Sequence, residues 1–102
     1  MVSMKLWIDD VRPAPEGYVR SRSVENAQAR IIIAERRGTR IELIDIDHDA
    51  GNFACYGGDY IKLLDWLEET GRNYPIRIHS MNPVGVENMR RIIQRNGWTE
   101  VR

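Results

Sequence analysis

A repeated ending constrains this chain more than any other feature. Three short apolar runs, Met4 to Ile8, Ile41 to Ile46 and Pro75 to Ile78, each stop abruptly at polar residues: Asp9-Asp10, Asp47-His48-Asp49 and His79-Ser80-Met81-Asn82. Runs of this length and composition read as strands. Around them lie stretches with helical spacing. Ser23 reads as the N-cap of a helix with Val24, Ala27, Ile31 and Ala34 on one side, closed by Gly38 after Arg36-Arg37. Asp59 can cap a second helix carrying Ile61, Leu64 and Leu67 and ending near Gly71. Asn82 and Pro83 suit the start of a third, with Met89, Ile92 and Ile93 on its apolar face before Gly97. Trp98 to Val101 reads as a last strand.

Strands alternating with helices predict an α/β fold, a mostly parallel sheet of about five strands with helices on its faces. The first connection is the exception. Tyr18 to Arg22 permits a second strand, but Arg12-Pro13-Ala14-Pro15-Glu16-Gly17 leaves no room for a crossover helix, so that strand is expected to run antiparallel or to be irregular. At 102 residues the chain, 1–102, is expected to form a single domain. No internal repeat, low-complexity tract or linker interrupts it.

Composition excludes several classes. No apolar run approaches the roughly 20 residues that span a bilayer. The start Met1-Val2-Ser3-Met4-Lys5-Leu6 lacks the apolar stretch of a secretory signal, so the cytoplasm is the expected compartment and no membrane partner is expected. A single cysteine, Cys55, forms no internal disulfide. The formal net charge of zero argues against binding extended duplex DNA. Of the 15 basic residues only Lys5 and Lys62 are lysines, and arginine forks suit bidentate contacts to phosphate or carboxylate.

In open α/β sheets ligands bind outside the carboxyl ends of the strands, which is where this chain gathers its reactive side chains. His48 and His79, its two histidines, both follow strands, and such a pair can divide the work of general base and general acid. Asp9, Asp10, Asp47 and Asp49 can orient an imidazole or hold a divalent cation such as Mg2+. The plain alternative for them is Asx turns at strand ends. Arg12, Ser80, Asn82 and Gly85 offer a guanidinium, a hydroxyl, an amide and a helix-start N–H to a phosphate. Cys55 and Tyr56, between Gly51 and Gly57-Gly58, sit on a loop that can cover the site. The three tryptophans, Trp7, Trp66 and Trp98, read as core or interface.

The segments Leu6-Trp7-Ile8-Asp9-Asp10-Val11-Arg12-Pro13-Ala14-Pro15-Glu16-Gly17, Asp47-His48-Asp49 with Gly51, and His79-Ser80-Met81-Asn82-Pro83-Val84-Gly85 together resemble the cyclic-phosphate processing receiver-like domain family. The resemblance implies a receiver-like, flavodoxin-like three-layer sandwich, from which this chain is expected to depart by having the first crossover helix reduced or missing. It also implies phosphoesterase-like processing of cyclic phosphates on nucleotides or RNA ends, with His48, His79 and Asp47 as catalytic residues. The alternative is a noncatalytic module that binds a nucleotide, a phosphorylated ligand or a metal. Receivers of phosphorelays carry a phosphoacceptor aspartate where this chain has Asp47, together with a lysine after the fifth strand; here no lysine follows Lys62, which argues against phosphotransfer signalling.

Overall fold

The computed structural model describes residues 2–102. Its elements run β1 Ser3–Ile8, β2 Tyr18–Ser21, α1 Val24–Arg36, β3 Arg40–Ile46, a 3-10 turn Gly51–Cys55, α2 Ile61–Glu69, β4 Ile76–Ile78 and α3 Pro83–Asn96. The strands form one sheet of order β2-β1-β3-β4, parallel throughout. The fold is therefore α/β and receiver-like, with the order expected of a flavodoxin-like sheet.

The second strand is parallel to β1, against the expectation of an antiparallel or irregular segment, with Lys5 opposite Tyr18 and Ile8 opposite Ser21. A helix is not needed to make that return. Extended chain covers about 3.3–3.6 Å per residue, so Asp9–Gly17 outreaches β1 with length to spare. Pro13 and Pro15 favour an extended path, and Trp7 Nε1 donates to the Arg12 carbonyl at 3.0 Å, holding the connection over the sheet. The last strand shrinks to a single parallel bridge between Ile76 and Glu100, flanked by Ile76 N–H to Thr99 O and Val101 N–H to Ile76 O. A three-residue β4 offers it no longer edge.

Helices α1 and α3 begin as their sequences dictate. Ser23 Oγ accepts from Asn26 N–H at 3.1 Å, and Asn82 Oδ1 accepts from Gly85 N–H at 3.0 Å, with Pro83 at the first helical position. Helix α2 departs from expectation. Its cap residue is Tyr60 with no side-chain cap bond, because the Asp59 carboxylate turns instead to the Ala50 N–H at 3.0 Å. Tyr60 is fully buried and ties two loops together, donating its hydroxyl to Arg22 O at 2.7 Å while its N–H reaches His48 O. Burial holds that phenol protonated, its pKa pushed far above the ordinary value.

One face of the sheet carries the core. Leu6, Ile8, Ile44, Ile46 and Ile76 pack with Val24, Ala27 and Ile31 of α1, Leu63, Leu64 and Leu67 of α2, and Met89, Ile92 and Ile93 of α3, with Trp98 closing one end. All three helices thus feed a single core on one side. The alternate strand residues, Lys5, Trp7, Tyr18, Arg20, Asp45 and Arg77, point the other way, where the Asp9–Gly17 connection stands in place of a crossover helix. The third layer of the expected sandwich is reduced to that loop. Among the described residues no helix is long and apolar enough to cross a membrane.

A one-sided core has a measurable signature. Ile44→Ala should cost about 2–5 kcal/mol of unfolding free energy, because it opens a cavity under the helices. Lys5→Ala, on the opposite face, should stay within about 0.5 kcal/mol. Chemical denaturation of the two variants beside the parent checks the contrast.

Candidate functional site

In sheets of this order ligands bind where successive crossovers diverge, at the carboxyl ends of β1 and β3. Asp9 and Asp10 leave β1 there, Asp47, His48 and Asp49 leave β3, and His79 and Ser80 leave β4 alongside. The ladder continues one residue beyond each strand: Asp9 N–H bonds Ser21 O, Asp47 N–H bonds Ile8 O and His79 N–H bonds Ile46 O. Side-chain alternation therefore still applies, and it sorts the site into two sides.

On the side away from the helices, His79 is held from three directions. Its Nδ1 lies 2.7 Å from Asp45 Oδ1, its Nε2 lies 3.0 Å from Asp9 Oδ2, and its ring stacks on Trp7 with centroids 3.9 Å apart and planes 4° from parallel. Asp45 is fully buried and also accepts from Arg77 at 3.1 Å, while the His79 side chain is 8% exposed. Each ring nitrogen thus faces a carboxylate oxygen at hydrogen-bond distance. Asp9 is 1% exposed, and burial by itself would raise its pKa. The Arg12 and Val11 N–H groups, both 2.9 Å from Oδ1, and His79 outweigh that burial and hold the carboxyl below its ordinary value of 3.8.

On the helix side, His48 leans against α3. A methyl group on Gly85 would overlap the imidazole ring, so glycine there is what admits the histidine. Gly85 N–H is already taken by the Asn82 cap, so Gly85 serves the site by making room. His48 Nδ1 lies 2.9 Å from Asp49 Oδ1, and no protein partner is found for Nε2 among the described residues. The two histidines thus leave the sheet on opposite sides and make no contact with each other.

At the same strand ends lies a cleft of about 320 Å³ lined by Arg12, Asp47, Asp49, Ser80, Met81 and Asn82. Arg12 is anchored at its edge by a 3.1 Å bond to His79 O, and Ser80 Oγ accepts from Asn82 N–H at 3.1 Å. Asp47 Oδ1 accepts from the His48 N–H at 2.7 Å. Asp10 stands apart, its carboxylate against Gly51, whose positive φ and lack of a side chain permit the approach. Asp9, Asp47 and His79 present ligand atoms within 4.8 Å of one another and can hold a metal ion, with Asp45 behind His79 in the outer position that commonly orients a ligating imidazole. A nitrogen in that set suits borderline cations such as Mn2+ or Zn2+ better than Mg2+, which prefers oxygen.

Asp45 and Trp7 are functional neighbours that sequence reading missed. Asp45 hides inside an apolar run, yet alternation puts it on the same face as Trp7, Asp9, Asp47 and His79, and that period-two pattern is the signal that could have found it. The expected cover over the site, the segment with Cys55 and Tyr56, is instead a 3-10 turn with Phe53 half-buried against the core and Cys55 exposed.

The parallel order, the acidic groups after β1 and β3 and the hydroxyl after β4 define a receiver-type domain. The model of one family, the cyclic-phosphate processing receiver domain, matches residues 4–95, and the chain belongs to that family. No curated protein and no solved structure matches the chain. The family ties this receiver domain to cyclic-phosphate processing.

The buried Asp9 links the site to stability. Because its pKa is depressed in the fold, its contribution is present above about pH 4 and is lost as pH falls through the lowered value. The thermal midpoint should therefore drop on acidification below about pH 4, and Asp9→Asn should flatten that limb. Gly85→Ala should displace the His48 ring and lower stability by about 1–3 kcal/mol, read by thermal melting and by the shift of the His48 ring signals in NMR spectra.

Proposed function

We propose that the domain opens cyclic phosphates, on nucleotides or RNA ends, by phosphoesterase chemistry in the cleft between β1, β3 and β4. The observation that carries this reading is the His48–Asp49 pair: an imidazole with one nitrogen fixed by a carboxylate and the other free, beside a cleft whose rim bears Arg12, Ser80 and Asn82. Asp49 orients His48 so that Nε2 accepts a proton from water. The water oxygen bonds phosphorus as the ester bond to one ribose oxygen breaks, that oxygen takes a proton from solvent, and His48 returns its own. One water is consumed and a phosphomonoester remains. Arg12, Ser80 and Asn82 stabilise the phosphoryl oxygens.

His79 is assigned here a positioning role, in place of the acid or base expected from sequence, because both its nitrogens are engaged. It holds Asp9 beside Asp47. A divalent cation on Asp9, Asp47 and His79 would neutralise carboxylates that otherwise repel an anionic substrate. The engagement of His79 also favours a second reading, a module that binds the phosphate without turning it over, since a single free imidazole serves one proton transfer at most.

Purified protein offered 2′,3′-cyclic mononucleotides and cyclic-ended RNA oligomers, with and without Mn2+, Zn2+ or Mg2+, should release phosphomonoesters. His48→Ala should lower turnover by about 10²–10⁴-fold, the usual worth of a general base, while leaving substrate affinity measurable. Saturable binding by calorimetry with no product in any condition would replace the catalytic reading with the binding one.

A further inference from the structure

A larger cavity lies outside this cleft, at the end of β2. It measures about 480 Å³, within the roughly 300–1,000 Å³ typical of small-molecule sites. Its wall is made by Arg20, Arg22 and Arg30, by Phe53 and Tyr56, and by Ser23 and Asn26 at the start of α1, with no carboxylate among them. None of the three arginines forms an ion pair among the described residues. Arg30 Nε bonds the neutral Asn26 side chain at 3.1 Å, Arg22 lies 5.8 Å over the Phe53 ring, and Arg20 Nε donates to the Asp9 carbonyl at 3.2 Å. Arg20 Nη2 is buried and finds no hydrogen-bond partner among the described residues. With no carboxylate on the wall, the three guanidinium groups of the cavity leave their charge to an incoming anion.

The aromatic pair gives the cavity a second character. Phe53 and Tyr56 lie 6.3 Å apart with rings tilted by 44°, and Tyr56 is half exposed, an open apolar wedge next to three forks. A ligand that satisfies both halves carries a phosphate and a flat aromatic body. We propose that this cavity is a nucleotide-binding site, in which Arg20, Arg22 and Arg30 hold the phosphate and Phe53 and Tyr56 receive the base. It uses none of the groups that carry out the cleft chemistry and requires no turnover, although Asp9, which joins His79 by its side chain and Arg20 by its carbonyl, makes the two sites neighbours.

NMR titration of the full chain tests it with probes that contain no cyclic phosphate: adenosine 5′-monophosphate, the dinucleotide ApA, inorganic phosphate and a phosphotyrosine peptide. Adenosine 5′-monophosphate or ApA should shift the Ser23, Asn26, Phe53 and Tyr56 signals and bind at least about tenfold more tightly than phosphate, since base stacking adds to the charged contacts. Tighter binding of ApA identifies a nucleic-acid strand as the source of the nucleotide, and tighter binding of the monophosphate a free nucleotide. Arg22→Gln and Tyr56→Leu, both on exposed side chains, should each weaken binding by about 5–50-fold with folding intact. Equal binding of phosphate and nucleotide, preference for the phosphotyrosine peptide, or shifts confined to the Asp47–His48 cleft and indifferent to both variants would each overturn the proposal. These outcomes are read without turnover, so loss of the catalytic reading leaves the test intact.

Discussion

A parallel strand sends successive side chains to opposite faces, and in this molecule that rule extends past the last residue of each strand. Ile8, Ile46 and Ile78 face the helices, so Asp9, Asp47 and His79 must face away from them, while His48 is returned to the helix side. The site is organised by this division. Chemistry that clusters in sequence at the strand ends is split in space into an imidazole clasped beneath the Asp9–Gly17 connection and an imidazole laid against α3. The split is possible because the helices occupy only one face: a crossover helix between β1 and β2 would bury Trp7 and Asp45 in an apolar layer, whereas an extended loop leaves room for a polar network.

That network carries a thermodynamic tension. Asp45 and Asp9 are almost wholly removed from solvent, and isolated carboxylates in such positions would be strongly destabilising. Four features offset this: His79 placed between them, Arg77 on Asp45, two backbone N–H groups on Asp9, and the flat contact of Trp7 along the imidazole. Breaking any one partner strands the others, which is the usual behaviour of a buried polar network. Such an arrangement fixes geometry more than it adds stability, and a fixed Asp9 beside Asp47 is what a phosphate- or metal-handling site requires.

The two cavities have opposite electrostatic characters within a short span of chain. The cleft at β1, β3 and β4 holds Asp47 and Asp49 with Arg12 as its cation, while the charged residues lining the cavity at β2 and α1 are all arginines. The segment Gly51–Cys55 contributes to the second of them. Gly51 admits the Asp10 carboxylate at one end, and Phe53, two residues on, forms a wall of the basic cavity.

The sequence by itself determined the helix faces and two of the three caps, the positions of β1, β3 and β4, the parallel α/β class and the gathering of Asp9, Asp47, His48 and His79 at one sheet edge. These are consequences of spacing over a few residues: a Ser23 or Asn82 hydroxyl or amide reaches its own helix, and apolar repeats of three and four define a face. Tertiary structure decided the rest. Asp59 looked like a cap until Ala50 offered it another N–H, and Trp98–Val101 looked like a strand until a short β4 left it one bridge. The direction of β2 depended on how far an extended loop reaches. Above all, His79 joins Asp45 across 34 positions and Asp9 across 70, and strand register alone brings those three together. Periodicity is written locally, but which carboxylate meets which imidazole is fixed only when strands distant in sequence align side by side.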